Sequence, residues 1–298
     1  VDTTDDDVAG FTIVELEGAT EVTEAGSTDT FTVVLDAQPT SDVVITVTPN
    51  DTTEVSTTGT LTFTPINWDT PQTVTVTGVD EDIVDGTITS AITLAIVDAT
   101  SNDNFDAVAD QTVSVDTTDD DVAGFTIVEL DGSTEVDESG TTDTFTIVLD
   151  AQPTNDVVVL ATASNDETEA TVSGSITFTS ENWDTPQTVT VTGVDDDLVD
   201  GDQTYDITIS IVDTISDDDF DGVADQSVSS TTLDDDAPGF TIEETDAATE
   251  VDESGSTDTF TVVLDAQPTS DVVLTITSDD TGESTVPASV TFTAADWD

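Results

Sequence analysis

The sequence repeats itself at an interval of about 115 residues, and this period limits the folds that the chain can adopt. Residues 1–18 and 115–132 differ at a single position, and the segment GSTDTFTVVLDAQPTSDVV occurs without change at 26–44 and 255–273. Solenoid proteins repeat roughly every 20–45 residues, whereas a complete β-sandwich domain has about 100 residues. The period therefore predicts β-sandwich domains in tandem.

An acidic segment marks the boundary between successive copies. The motif DDDVAGF ends at Phe11 and at Phe125, and an altered form, DDDAPGF, ends at Phe240. We predict a seam from a preceding repeat at 1–7, complete sandwiches at 8–121 and 122–236, and an incomplete third sandwich at 237–298. The third copy stops inside FTAADWD, where the other copies continue through TPQTVTV. We therefore expect the chain to be a piece of a longer repetitive protein.

Alternating Val, Ile, Phe and Thr residues predict seven strands in the second copy. Strands A to G are expected at 124–130, 142–150, 156–164, 175–179, 187–194, 204–213 and 226–233. In strand B, Phe145, Ile147 and Leu149 share one face at a period of two residues. Threonine at the outward positions favours strands and tolerates water. The prediction is an all-β chain of seven-stranded antiparallel β-sandwiches in series.

All the charge of this chain is negative. Its 298 residues include 68 Asp and Glu residues and no Lys, Arg or His. Low hydrophobicity with high net charge is typical of disordered chains, but a hydrophobic content of 35% and regular alternation favour a folded chain. Nucleic acids and anionic membranes bind basic patches, so we expect no nucleic-acid partner and no membrane insertion. Cysteine is absent, which excludes disulfides.

The predicted strand order gathers acids at the two ends, or poles, of each sandwich. Because successive strands run in opposite directions, the A–B, C–D and E–F loops and the end of strand G meet at one pole. In the second copy this pole collects Glu138, Asp166, Glu167, Glu169, Asp195, Asp196, Asp197, Asp200, Asp234, Asp235 and Asp236. The opposite pole collects Asp217, Asp219, Asp221 and Asp225. Stacked repeats would face each other with carboxylates on both sides.

These carboxylates need cations from solution, because the chain contains no base to pair with them. Ca²⁺ fits best, since it accepts six to eight oxygen ligands in irregular geometry, whereas Mg²⁺ demands a regular octahedron. Soft metals prefer Cys or His, which are absent. We therefore predict Ca²⁺ as the cofactor.

The loop SDDDFDGVAD resembles the start of an EF-hand calcium loop. Asp217, Asp219, Asp221, Gly222 and Asp225 fall at positions 1, 3, 5, 6 and 9, but Val228 stands at position 12, where an EF-hand has Glu. The first copy weakens the pattern, with Asn102, Asn104, Asp106, Ala107 and Asp110 at these positions. The alternative interpretation is a solvated acidic loop.

Three further motifs resemble the Calx-β family and the Calx-β-like tandem repeats of giant bacterial surface adhesins. They are VDESG after strand A, TVTVTGVDDDLVDGDQTYDITIS, and a last strand that ends in DDD. The resemblance implies calcium ligands in the A–B, C–D and E–F loops and in the terminal Asp run. In this chain these are Glu24, Glu138, Glu253, Asp80, Asp82, Asp195, Asp196, Asp197, Asp119, Asp120, Asp121, Asp234, Asp235 and Asp236.

The chain also departs from that family at three candidate ligands. Asp85 and Asp200 stand where the family often has Glu, and Glu81 replaces an Asp. The number of ions at each joint is therefore open. A solvated linker is the alternative for the triple-Asp seam, although the seam lacks the Gly and Ser of a flexible linker.

These observations predict a structural repeat of an extracellular or cell-surface fibre or adhesin shaft, stiffened by Ca²⁺ at the junctions between domains. Its partners would be neighbouring repeats or copies of itself. The alternative is an adhesin module that binds a glycan, a receptor or ice, and a flat ladder of Thr shared by the repeats would favour it. We expect no enzyme, because His, Cys, Lys and Arg are all missing from the chain.

Overall fold

A computed structural model describes residues 6–16, 18–130, 132–164 and 168–298, and strands dominate these ranges. The first repeat contains β1 (Phe11–Glu15), β2 (Thr20–Thr23), β3 (Thr28–Leu35), β4 (Val43–Pro49), β5 (Val55–Thr57), β6 (Thr60–Phe63), β7 (Gln72–Gly78), β8 (Ile88–Ile96) and β9 (Gln111–Thr118). The second repeat contains β10 (Phe125–Glu129), β11 (Thr134–Asp137), β12 (Thr142–Leu149), β13 (Val157–Ala163), β14 (Ala170–Val172), β15 (Ser175–Phe178), β16 (Gln187–Gly193), β17 (Gln203–Ile211) and β18 (Gln226–Leu233).

The third repeat contributes β19 (Phe240–Glu244), β20 (Phe260–Leu264), β21 (Val272–Thr275) and β22 (Ser289–Phe292). Two short 3₁₀ helices, Asp103–Phe105 and Asp218–Phe220, lie between the last two strands of the first and second repeats. Within the described ranges, none of the helices has the length and the hydropathy of a membrane-spanning helix.

Each of the first two repeats folds into two sheets, which confirms the predicted all-β sandwich. One sheet of the first repeat has the order β1-β3-β7-β5, and the other has the order β2-β9-β8-β4-β6. The second repeat has the same arrangement, β10-β12-β16-β14 and β11-β18-β17-β13-β15. The predicted domain boundaries at 8–121 and 122–236 stay predictions.

The structure contains all seven predicted strands of the second repeat and adds two short ones, β11 and β14. Strand β11 is four residues long and β14 three, which is too short for a period-two pattern to stand out. Strand β11 pairs in parallel with β18, whereas the other pairs in this sandwich are antiparallel. The chain thus crosses between the two sheets after β10.

The alternating pattern determines the core. Inward residues of both sheets are buried, including Phe145, Ile147 and Leu149 on β12, while Thr146 and Val148 between them lie on the opposite face. The first and second repeats each have one continuous hydrophobic cluster. In the third repeat, two separate two-stranded sheets leave Phe240 52% exposed, whereas its counterpart Phe125 is 3% exposed.

Backbone hydrogen bonds join successive repeats. The N–H of Gln152, in the turn after β12, donates to the carbonyl of Asp82 at 2.6 Å, and the N–H of Val84 donates to the carbonyl of Gln152 at 3.4 Å. The second joint repeats the first of these bonds, because Gln267 N–H donates to the carbonyl of Asp197 at 2.7 Å. The turn of each following repeat therefore pairs with the loop after β7 or β16.

A glycine allows close contact between the two sheets beside this joint. A Cβ atom at Gly193 would overlap the carbonyl oxygen of Asp137, and Gly78 has the same relation to Thr23 in the first repeat. Both glycines end their strands directly beside the loops that carry the predicted acids. Any side chain here would push apart the ends of the two sheets.

We predict that Gly193→Ala destabilises the second repeat by about 1–3 kcal/mol, because the backbone of Asp137 must move to make room for the methyl group. The control is Gly222→Ala, since a Cβ at Gly222 would meet no atom within 4 Å. Chemical unfolding at fixed Ca²⁺ concentration measures both effects. Equal stability of the two variants would contradict the importance of this contact.

Candidate metal centre

A buried carboxylate lies at the centre of the first joint. Glu24 is 0% exposed, and neither of its side-chain oxygens has a hydrogen-bond partner. Its position follows from the parallel pairing of β2 with β9, in which Thr23 is opposite Thr118. The next residues along the two strands, Glu24 and Asp119, therefore emerge side by side, and Glu24 N–H donates to the carbonyl of Thr118 at 3.1 Å.

Four other predicted ligands surround Glu24. Carboxylate oxygens of Glu24, Asp119 and Asp121 lie within 4.8 Å of one another, and so do oxygens of Glu24, Glu81 and Asp85. Glu24 thus belongs to both groups. The structure brings together acids from the loop after β2, the loop after β7 and the end of β9, as the alternating strand directions predicted.

Asp119 also holds the loop that carries Asp85. Its Oδ2 accepts hydrogen bonds from the N–H groups of Asp85 at 3.1 Å and Gly86 at 2.8 Å, and its Oδ1 accepts from Asp121 N–H at 2.7 Å. The second repeat repeats the pattern at Asp234, which accepts from Gly201 N–H at 2.7 Å. Asp119 and Asp234, each the first Asp of its triple, therefore hold the loop after β7 and the loop after β16 in a similar way.

Sequence reasoning missed one buried acid, Glu54. It is 3% exposed, it precedes β5, and its Oε2 has no hydrogen-bond partner. Its backbone carbonyl accepts from Val79 N–H at 2.9 Å, which places it beside the loop after β7. A usable signal was present, because Glu169 and Glu283 occupy the same position in the other copies. We call Glu24, Glu54, Glu81, Asp85, Asp119 and Asp121 the first acidic cluster.

The second joint contains a smaller group. Oxygens of Glu138, Asp196 and Asp236 lie within 4.8 Å of one another, and Glu138 is 1% exposed. One oxygen each of Glu138, Glu169 and Asp236 is buried without a partner. We call Glu138, Glu169, Asp196 and Asp236 the second acidic cluster. The same pole therefore gathers acids in both complete repeats.

Burial and mutual repulsion oppose ionisation of these acids. Burial, with the charges of Asp119 and Glu54 next in importance, raises the pKa of Glu24 from 4.5 to about 7. Burial also raises the pKa of Glu54 to about 7 and that of Glu138 to about 7, with neighbouring carboxylates adding to both shifts. The cation-free joint thus holds carboxyl groups that resist losing their protons.

Several predicted ligands lie near these clusters without joining them. Asp80, Asp82, Asp120, Asp195, Asp197, Asp200, Asp234 and Asp235 fall on the same loops and seams but outside the close groups found in the described ranges. Glu253 is exposed in the third repeat. Asp166 and Glu167 lie outside the described residues. The assignment of all these residues as ligands stays a prediction.

The EF-hand-like loop has a different local structure from the one that its spacing suggested. Asp217 is 3% exposed and caps the 3₁₀ helix, and its carboxylate accepts from Thr154 Oγ1 at 2.8 Å, Asn155 N–H at 2.6 Å and Asp219 N–H at 3.2 Å. Burial raises its pKa, but these hydrogen bonds together outweigh burial and lower the pKa.

The Asp217 carboxylate therefore caps the 3₁₀ helix and also accepts hydrogen bonds from the turn after β12. Asn102 caps the corresponding helix in the first repeat, which explains how Asn can replace Asp there. The other predicted ligands of this loop, Asp219, Asp221 and Asp225, are exposed. Cation binding within this loop alone stays a prediction.

The donor set of the two clusters suits a hard cation. It consists of carboxylate oxygens only, several of them buried without partners. Burying ionised carboxylates without a counter-charge is costly, and Ca²⁺ would supply that charge. Glu24, Glu81, Asp85, Asp119 and Asp121 would hold it in the first joint. Glu138, Asp196 and Asp236 would hold it in the second.

We predict an inverted pH dependence for the cation-free protein. The pKa values of Glu24, Glu54 and Glu138 are raised to about 7 in the folded state, so the folded chain binds more protons than the unfolded chain between about pH 4.5 and 7. The free energy of unfolding must fall as the pH rises through that window. In EDTA, calorimetry should give a higher Tm at pH 5 than at pH 8.

Saturating Ca²⁺ should remove or reverse this trend, because the cation favours the ionised carboxylates. A Tm in EDTA that rises with pH would contradict the burial of these groups.

The sequence matches no protein-family model and no curated protein. Among solved structures, the calcium-binding domain CBD12 of CALX1.1 is 16% identical with a TM-score of 0.28, and the match covers 67% of this chain and 80% of that chain. The apo-form Calx CBD1 domain is 18% identical with a TM-score of 0.27, covering 37% and 98%. Domains 1–6 of the surface layer protein SbsC are 14% identical with a TM-score of 0.31, covering 95% and 36%. These TM-scores are low, so the assignment of fold and site rests on the strands and carboxylates of this chain.

Proposed function

We propose that the chain is a structural repeat of an extracellular fibre or adhesin shaft, and that Ca²⁺ at each junction between repeats makes the array rigid. One observation carries this proposal. The carboxylate of Glu24 is completely buried, has no hydrogen-bond partner on either oxygen, and lies among other carboxylates at the end that meets the next repeat.

A proton or a cation must neutralise such a group. The chain has no Lys, Arg or His, so an internal ion pair is impossible. Protons serve this purpose below about pH 7, and a divalent cation serves it above. Ca²⁺ is favoured over Mg²⁺ because the acids come from three separate segments, which form an irregular cage more easily than an octahedron.

The position of the site links cation binding to the stiffness of the joint. The loop after β7 carries Glu81 and Asp85, and the same loop pairs with Gln152 of the next repeat through the backbone of Asp82 and Val84. A cation that orders this loop would also order the surface on which the next repeat docks. Neighbouring repeats, or copies of the chain, are the proposed partners.

The same chemistry supports the proposed extracellular location. Calcium modules outside cells typically bind at roughly 10⁻⁴–10⁻³ M, a concentration range that external fluids supply. The strong negative charge would keep a long array soluble. Repetition of one unit would give reach, because each sandwich adds its own length to the shaft.

We predict that Ca²⁺ narrows the distribution of distances across the first joint. The chain contains no Cys, so Thr89→Cys and Thr204→Cys place two spin labels at equivalent exposed positions of the first and second repeats. Double electron–electron resonance should show a broad distribution in EDTA and a narrow one in millimolar Ca²⁺. Glu24→Gln should keep the distribution broad in Ca²⁺.

The matched control is Glu21→Gln, which makes the same chemical change at an exposed position of β2. It should respond to Ca²⁺ like the unmodified sequence. Identical distributions with and without Ca²⁺ would refute the proposed stiffening of the joint.

A ladder of threonines favours a second candidate function, binding to a glycan or to ice. On β3 and β7, Thr28, Thr30 and Thr32 lie opposite Thr77, Thr75 and Thr73. On β12 and β16, Thr142, Thr144 and Thr146 lie opposite Thr192, Thr190 and Thr188. All face away from the core, and directly paired side chains are about 5 Å apart.

If the ladder is a binding surface, the chain should be retained by ice or by a defined glycan, and Thr30→Tyr with Thr75→Tyr should reduce that retention. The control is Thr89→Tyr, which places the same bulky ring on the opposite sheet. Ice-affinity partition and a glycan array measure the effect. If neither ice nor any glycan on the array retains the chain, the structural role remains as the single proposed function.

A further inference from the structure

We propose that the Ala-Gln-Pro turn, found at 37–39, 151–153 and 266–268, is a preformed docking surface held in place by the side chain of its Gln. Its partner is the main chain of the loop that follows β7 or β16 in the preceding repeat. The inference rests on the part of the proposed function that stacks the repeats, but it does not depend on Ca²⁺. It adds a contact between repeats that forms before a cation binds.

The side chain of the Gln makes the same contact in all three repeats. Nε2 of Gln38, Gln152 and Gln267 donates to a main-chain carbonyl two residues after β6, β15 or β22. The acceptors are the carbonyls of Pro65, Ser180 and Ala294, at 2.7, 2.7 and 2.8 Å. Each bond lies inside one repeat, where it ties the Ala-Gln-Pro turn to a second turn of the same sandwich.

The main chain of the same residue faces the preceding repeat. Gln152 forms a parallel bridge with Ile83, and Gln267 forms one with Leu198. The two partner residues have different side chains, yet the bridge is the same. The turn therefore recognises the main chain of the loop, as a sheet edge does when it accepts an added strand. Such recognition fits any repeat of this type as the preceding neighbour.

Gln38 shows the same turn with no loop bridged to it in the described ranges. Its side chain keeps the bond to Pro65, whereas its backbone N–H has no hydrogen-bond partner among the described residues. Gln38 is exposed, while Gln152 and Gln267 are partly buried. The side-chain bond thus forms whether or not a loop is docked. A turn that is ordered in advance lowers the entropic cost of docking.

A bridge at one residue makes a pivot. In the first joint, the N–H of Gln152 donates to the carbonyl of Asp82 at 2.6 Å, and its carbonyl accepts from Val84 N–H at 3.4 Å. Because both bonds belong to one residue, the two repeats can stay in contact while they rotate about it. Docking through Gln152 and stiffening by Ca²⁺ are then separate steps.

The test compares Gln152→Met with Gln38→Met in the full chain by amide hydrogen exchange in EDTA. Both changes remove the same side-chain donor without altering the charge. In the unmodified chain, the backbone N–H of Gln152 should exchange more slowly than that of Gln38. Gln152→Met should lower the protection at position 152 by roughly 3–10-fold, the range expected for the loss of one neutral hydrogen bond.

The Gln38→Met control separates docking from a general loss of stability. It should lower the Tm about as much as Gln152→Met, because each variant loses the same bond inside its own repeat. It should leave the protection at position 152 unchanged. Equal protection at position 152 in the two variants would contradict the role of the Gln152 side chain.

Further outcomes separate this inference from the proposed function. Equal exchange at Gln38 and Gln152, or protection of Gln152 that requires Ca²⁺, would refute a preformed docking surface, even if Ca²⁺ stiffens the joint. Protection of Gln152 in EDTA that Gln152→Met removes would support the docking surface, even if the chain binds no Ca²⁺ and the proposed stiffening is wrong.

Discussion

The central constraint on this structure is a buried carboxylate for which the chain has no basic side chain to form an ion pair. Glu24 and Glu138 are enclosed by the ends of two sheets, and both lie among other carboxylates. In most proteins such a group would face Lys or Arg, or it would be exposed. Here the composition excludes an ion pair with Lys or Arg, and the fold excludes exposure to solvent. The remaining means of neutralising the charge come from solvent, as protons or as metal ions.

The arrangement of the strands explains why the acids meet. Parallel pairing of β2 with β9 places the C-terminal ends of these two strands side by side. The close approach at Gly78 brings the end of β7 to the same place. The same end carries the backbone contact with Gln152. Folding of one repeat, the proposed cation site and docking of the next repeat therefore all involve one small region.

Much of this could be predicted from the sequence, because the repeat and the period-two alternation are strong signals. They gave the seven main strands, the sandwich and the pole at which the acids gather. Strands β11 and β14 could not be predicted, since three or four residues do not establish a period and their pairing depends on distant partners. Glu54 was missed because a single Glu before a short strand carries no local signal of burial.

The spacing of Asp217, Asp219 and Asp221 predicted the structure of their loop less well than the repeat predicted the sandwich. Similar spacing arises when an acid caps a 3₁₀ helix, and the structure shows that Asp217 has this role. Sequence spacing cannot distinguish an EF-hand-like loop from a capped 3₁₀ helix, because each needs an oxygen that accepts a hydrogen bond from the backbone N–H two residues later. The joint between Gln152 and Asp82 was also beyond sequence reasoning, since the atoms involved belong to the main chain.

The parallel pair formed by β2 and β9 has a mechanical consequence. These strands lie near the entry and exit of the sandwich, and they are direct neighbours that point the same way. Tension on the two ends of a repeat would pull them in opposite directions along their length, so that their hydrogen bonds must break together and not one after another. A shaft built from such units would resist stretching most strongly at the pair of strands whose ends carry Glu24 and Asp119.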